Sequence, residues 1–338
     1  MKNRANPLLE LNGASVELLV EDALRPVLRS LDLHVARGEI LGVVGESGSG
    51  KSMIARTILQ TLPQGARFSG SVRMNGEEVS SLSKAALREV RGKRIGMIFQ
   101  DPRAFVNPLW RAGDYVAEPL AVHCSLSRRV ARKRSLELLS DVGIVEPDRV
   151  FAAYPHELSG GMLQRVGIAG ALATDPELLI ADEPTTALDV TVQAEIMAIV
   201  RELSRERGMA TVFISHDLDL ATMVCDRIYV LYGGSMMCEQ PTADLLAHPA
   251  HPYARALLDA RPRIDRRLPR LETIPGQPSG AADAPAGCPF HPRCEFADDR
   301  CRSAVLKSAE VESRSLTTCV RIQAGDLPIE KVEHAGIS

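Results

Sequence analysis

The chain has 338 residues, 45% of them apolar and 25% charged, enough for about two domains with a packed core, and a balance that excludes collagen-like, coiled-coil and wholly disordered chains. Forty basic side chains against 43 acidic ones leave a formal net charge of −3, so no global field draws the protein onto nucleic acid or anionic lipid. No apolar run nears the ~18 residues of a membrane span, and the N-terminal residues lack an apolar segment with a cleavage site, so a cytoplasmic, non-spanning protein is expected.

In chain order, short β-branched runs at residues 40–44, 95–99, 178–181, 211–215 and 228–232 alternate with helical patterns, which predicts an α/β domain with a largely parallel sheet. Strands stop between about 101 and 160. There LSRRVARKRSLELLSDV, residues 126–142, reads as an amphipathic helix with Val130, Leu136, Leu139 and Val142 toward the core. Ten of the 21 prolines lie between Pro241 and Pro292, placing a boundary near residue 245. Residues 275–287, PGQPSGAADAPAG, read as a linker.

The strongest chemical signal is GESGSGKS, residues 45–52, between an apolar strand and a helix. In such a loop the backbone of Gly45, Ser47, Gly48, Ser49 and Gly50 can close around phosphate oxygens. Lys51 then reaches the β- and γ-phosphates, and the Ser52 hydroxyl ligates Mg²⁺. A second signal is LLIADEP, residues 178–184, a buried strand ending in two carboxylates. Asp182 is the candidate for Mg²⁺ and Glu183 for a general base on water; a solvated strand end is the alternative. LSGGM, residues 158–162, puts Ser159, Gly160 and Gly161 at a helix N-terminus, readable as a second anion site or as a simple serine cap.

Phosphate loop, Gln100 after IGMIF, LSGG, LLIADEP, Asp189 in ALD and His216 after TVFIS follow one another in a set order that resembles the ATP-binding cassette of ABC transporters. The resemblance implies a RecA-like core over residues 1–100 and 161–245 with an antiparallel β part, a helical subdomain over 101–160 ending in the signature, and a C-terminal extension over 246–338. It also implies a head-to-tail cassette dimer with ATP between the loop of one chain and the LSGG of the other. Gln100 would sense the γ-phosphate and Mg²⁺, His216 would contact the γ-phosphate, and Ser159, Gly160 and Gly161 would serve the partner's nucleotide. Asp189 would lie at the dimer interface. Two departures stand out: the first aromatic residue is Phe68, so Leu18 stands at or beside the place of the usual adenine-stacking ring, and Met162 follows the signature glycines.

FQDPRAFVNPLW from residue 99, AHPAHPYARALLDARP from residue 247, IPGQP from 274 and GCPFHPRCEFADDRC from 287 are similar to segments of oligopeptide, dipeptide and nickel importer subunits. That implies an importer ATPase on the cytoplasmic face of the inner membrane, with a second cassette that is commonly a paralogue, two permeases and an extracytoplasmic binding protein. Di- or oligopeptides are the expected cargo, nickel or another small solute the alternative. Cys288, Cys294, Cys301 and Cys319, spaced x5, x6 and x17, fit neither the usual paired zinc spacing nor common ferredoxin runs. The resemblance implies a [4Fe-4S] cluster there, with Zn²⁺ or unligated thiols left open. Cys124, Cys225 and Cys238 are expected to be packing residues. The basic run Arg128, Arg129, Arg132, Lys133, Arg134 has no interleaved aromatics and reads as a solvated helix face rather than a nucleic-acid site. A soluble ABC ATPase acting on nucleic acid or ribosomes is disfavoured by the 58 residues between Gln100 and Ser159, too few for a long coiled-coil insertion. A non-hydrolysing cassette is disfavoured by intact Lys51, Asp182, Glu183 and His216.

Overall fold

The structure is a computed structural model that describes residues 7–184, 190–261, 273–312 and 314–329. The chain forms two compact units, one of Met1–Glu10, His34–Ile40 and Val72–Ile214, the other of Leu11–Leu33, Leu41–Ser71 and Ser215–Ser338.

In the first unit Leu178–Asp182 pairs in parallel with Ile95–Ile98 on one side and with Ala210–Ser215 on the other. Leu178, Leu179, Ile180 and Ala181 are all fully buried, as a strand covered on both faces requires. This continuous apolar run carries Asp182 to the C-terminal end of the ladder. Glu177, one residue before the strand, accepts from Arg94 Nε (2.7 Å), Asn75 (2.6 Å) and Arg37 (3.2 Å) and anchors its other end.

No strand interrupts the helices Ala112–His123, Arg128–Asp141, Pro147–Ala152 and Gly160–Ala171. Two glycines let these helices approach: a Cβ on Gly113 would enter the Phe151 ring and one on Gly170 the Tyr115 ring. Of the core positions expected around Arg128–Asp141, Leu139 and Val142 are fully buried, and Val130 and Leu136 are not. Ala131, Ser135, Leu138 and Leu139 point inward, whereas Val130 is 49% exposed and Leu136 half-buried. Ser135 can face the core because its hydroxyl donates to the Ala131 carbonyl of its own helix at 2.8 Å. Cys124 is exposed rather than packed, because it caps the end of Ala112–His123, while Cys225 and Cys238 are buried as expected.

Chiefly in the second unit, Leu9–Val20 lies between Ala23–Val35 and Arg67–Met74 in one sheet. In another, Ile40–Val44 runs parallel to Arg227–Tyr232, which turns back through Gly233 and Gly234 into Ser235–Pro241. Both glycines have positive φ, 54° and 74°, which the two-residue hairpin turn demands. Ser235–Pro241 then pairs with Ser315–Thr317, itself paired with Ala309–Glu312. The segment after residue 246 thus extends the sheet that holds Ile40–Val44. Tyr232, Tyr253 and Phe290 fasten it further, with ring centroids 4.7 to 5.4 Å apart. Among the described residues no helix is long and apolar enough to cross a membrane.

Candidate functional site

The buried strand Ile40–Val44 delivers the chain into the loop 45–50, and helix Lys51–Ile58 leaves it. A Cβ on Gly45 would run into the Leu231 carbonyl oxygen, and Gly50, at φ 103°, would carry a Cβ 2.9 Å from the Val27 carbonyl oxygen. Glycine is therefore required at both ends by close backbone approach. Ser49 is buried, and its carbonyl accepts from Gly234 N at 3.0 Å. Lys51 is 6% exposed, and its Nζ donates to the carbonyls of Gly45 (2.8 Å) and Glu46 (3.0 Å), which aims the ammonium along the loop. Ser52 is exposed on the first helical turn.

The loop also holds contacts that sequence reasoning missed. Glu46 N donates to the Tyr253 hydroxyl at 3.0 Å, and both Glu46 carboxylate oxygens accept from Arg293, at 2.6 and 3.2 Å. An acidic residue inside a phosphate loop was the available signal that a cation must come from elsewhere.

In the first unit the ladder brings Gln100 and Glu183 together, with Gln100 Nε2 donating to Glu183 Oε2 at 2.8 Å. Glu183 leaves the strand with a left-handed backbone, φ 48°, while its N–H donates to the Ile214 carbonyl at 2.9 Å. A non-glycine residue in that region is strained, which re-aims its side chain relative to Asp182. Asp182 is half-buried at the strand end. Buried Gln164 donates to the Pro184 carbonyl at 2.6 Å, fixing the turn just past Glu183; a lone glutamine inside a helical pattern gave no hint of this. His216 is exposed directly after Ala210–Ser215, before the helix Leu218–Val224 that Asp217 caps. Asp189 lies outside the described residues.

Ser159 is the N-cap of helix Gly160–Ala171, its hydroxyl accepting from Met162 N at 3.3 Å, with Gly160 and Gly161 half-exposed on the first turn. Val192 Cγ1 would sit 3.0 Å from a Cβ on Gly161, so a side chain there would be crowded. At the place expected for adenine stacking, Leu18 is half-buried and Leu19 and Val20 are exposed.

Cys288, Cys294, Cys301 and Cys319 line one small cavity of about 20 Å³, together with His251 and His291. Burial pushes the Cys288 thiol up to about 12 and the Cys294 thiol to about 11, and raises Cys319 as well. Such groups stay neutral unless a cationic centre compensates them. His251, fully enclosed, accepts from Tyr253 N at its Nδ1 (3.0 Å). Its proton therefore sits on Nε2, a buried donor with no hydrogen-bond partner within the protein. Among the described residues no set of three or more His, Cys, Asp or Glu is arranged to hold a metal ion.

Residues 28–186 match the ABC transporter family, and residues 238–301 match the oligopeptide/dipeptide transporter C-terminal region. The chain is 42% identical over 299 residues to the oligopeptide transport ATP-binding protein OppD of Haemophilus influenzae, covering 88% of this chain and 93% of that protein. It is 43% identical over 300 residues to OppD of Salmonella typhimurium, covering 89% and 90%. With a putative peptide import ATP-binding protein of Brucella melitensis it shares 40% over 330 residues, 94% of this chain and 98% of that one. Among solved structures it resembles the ATP-binding cassette MJ0796, a dimer in a post-hydrolysis state with ADP and Pi, at 30% identity and TM-score 0.63 over 69% of this chain and 98% of that chain. The chain is an ABC ATPase and belongs to the ABC transporter ATP-binding proteins, in the branch that carries the oligopeptide/dipeptide C-terminal region.

Proposed function

We propose that the chain is the ATP-hydrolysing subunit of a peptide importer, acting on the cytoplasmic face of the inner membrane with a paralogous second cassette, two permeases and an extracytoplasmic binding protein. The observation that carries this reading is the likeness to peptide-import ATP-binding proteins, which runs through the cassette and continues into the region after residue 238. Within it, residues 1–100 and 161–245 are the nucleotide core, 101–160 the helical part that meets the permeases, and 246–338 the extension.

ATP is the substrate, hydrolysed by water to ADP and phosphate. The glycines at 45 and 50 let the loop pack against the Leu231 and Val27 carbonyls, and Lys51 neutralises the β- and γ-phosphates held by the loop backbone. Mg²⁺, when bound, offsets the charge that builds on the phosphate oxygens; Ser52, Gln100 and Asp182 are the ligands we assign to it. Glu183 takes the proton of the attacking water, and the amide of Gln100 orients its carboxylate. His216 contacts the γ-phosphate. Ser159, Gly160 and Gly161 present backbone N–H groups to the second cassette's nucleotide, and Asp189 lies at that interface, so hydrolysis waits on cassette closure.

We assign a [4Fe-4S] cluster to Cys288, Cys294, Cys301 and Cys319, in preference to Zn²⁺. Two observations support the fit: the four thiols line a common cavity, and the buried Nε2–H of His251 at the same cavity has no acceptor within the protein. A cluster held there would supply a covalent staple to a proline-rich segment.

The importer reading is tested by purifying the protein with its native membrane. Recovery with integral permeases, and ATP turnover raised by peptide-loaded binding protein, is expected; recovery with RNA or ribosomes and indifference to peptide would overturn it. For the cluster, anaerobically purified protein should contain about four irons per chain and absorb broadly in the visible, and lose both with Cys294→Ser.

A further inference from the structure

Glu46 places a carboxylate inside the loop that must accept a polyanion. Its side chain is 23% exposed, while that of Arg293, the residue that meets it, is 5% exposed. The guanidinium is fixed from several sides. Nε donates to the Pro275 carbonyl (2.8 Å), one terminal nitrogen to the Tyr232 hydroxyl (3.2 Å), and the other to the Ile274 carbonyl (3.4 Å), beside the fork onto Glu46. It also lies over the rings of Tyr232 and Phe290, at 5.7 and 5.9 Å from their centroids. Burial by itself would lower the Arg293 pKa, but the bonds to Glu46 and Tyr232 outweigh it and hold the group charged. Arg293 belongs to the short turn His291–Arg293, next to Cys294 and 247 residues from Glu46 in the chain.

We propose that Arg293 is a positioning residue for nucleotide binding: it neutralises the carboxylate of Glu46 and locks the first turn of the phosphate loop, so that the C-terminal extension makes the loop receptive to ATP. The inference rests on the assignment of residues 45–52 as the ATP phosphate site. A bidentate guanidinium on a mostly buried carboxylate is strong and directional. Removing only the cation leaves an uncompensated, mostly buried negative charge on a residue of the phosphate loop, whereas removing only the carboxylate leaves an unpaired cation beside that loop. The two losses therefore act on ATP affinity in opposite directions. A role confined to holding the extension in place would not produce that sign change.

The test is titration of a fluorescent ATP analogue with Mg²⁺ into the full-length protein, alongside Lys51→Ala, Arg293→Met, Arg293→Lys, Glu46→Gln and the double variant, with thermal melting for each. Arg293→Met is expected to weaken binding about tenfold, the scale of one lost charge-assisted contact. Glu46→Gln is expected to tighten it, and Glu46→Gln added to Arg293→Met to recover most of the loss. Arg293→Lys, which keeps the charge but loses the fork and the ring stacking, should lose affinity by less than Arg293→Met does. Arg293→Met binding as the native protein does, or a double variant as weak as Arg293→Met alone, would overturn the proposal. If Arg293→Met fails to fold, Arg293→Lys and Glu46→Gln decide it: a tenfold loss in the first, or no tightening in the second, rejects the charge account. Failure of the native protein to bind the analogue, or unchanged binding in Lys51→Ala, would instead reject the phosphate-site assignment itself.

Discussion

Gln100 Nε2 stands 2.8 Å from Glu183 Oε2, so the residue that closes one strand orients the carboxylate that closes its neighbour. The parallel register Ile98↔Ala181 is what sets the two side by side. Gln100→Ala should lower kcat of ATP hydrolysis by about tenfold or more with a smaller change in KM, because an orienting contact matters most in the transition state. Steady-state kinetics over a range of ATP concentrations reads the split; a change confined to KM would remove Gln100 from the chemical step.

Gly45 admits no side chain, since any Cβ would meet the Leu231 carbonyl oxygen, a backbone atom that cannot swing away. Gly45→Ala should abolish ATP binding and lower the melting temperature, whereas Gly48→Ala, where nothing lies within reach of a Cβ, should be limited to the strain of its positive φ. Nucleotide titration and thermal melting of the two variants check the difference.

The buried face of Arg128–Asp141 yields a contrast on one helix. Leu138 is fully buried and Val130 half-exposed. Leu138→Ala should cost about 2–5 kcal/mol and Val130→Ser less than about 1 kcal/mol. Denaturant unfolding measures both, and equal costs would contradict the observed face.

The ion pairs around Glu177 predict a pH dependence. Burial works against its charge, but Arg94, Asn75 and Arg37 outweigh that and hold its carboxyl below the ordinary value of 4.5. A depressed folded-state pKa contributes stability that is present above the unfolded value and lost as the pH falls through the folded one. Glu177→Gln should therefore be less stable than the native protein at pH 7, with the gap closing as the pH drops below about 4.5. A gap that stays constant from pH 7 to pH 3 would contradict the electrostatic account.

How much of this could be read in advance depended on whether the signal was local. Residues 178–181 are a short continuous apolar run followed by Asp182 and Glu183, a pattern that a short strand buried on both faces fits. The phosphate loop likewise announces itself by glycines whose need is set by their immediate surroundings. Val130 was misread because a serine, normally a surface residue, takes the inward place at 135 by bonding its own helix. Cys124 was misread because a small apolar side chain can equally end a helix in solvent. Nothing periodic joins Glu46 to Arg293, 247 residues apart, and only the folded extension brings them together.

The central claim is that this cassette hydrolyses ATP with Glu183 as the base, and the most direct test is turnover by Glu183→Gln. The account predicts that the variant binds ATP and Mg²⁺ with near-native affinity, accumulates as a closed cassette dimer, and hydrolyses at least about a hundredfold more slowly, the usual scale of lost general-base catalysis. Hydrolysis near the native rate would contradict it and move the proton transfer to another group.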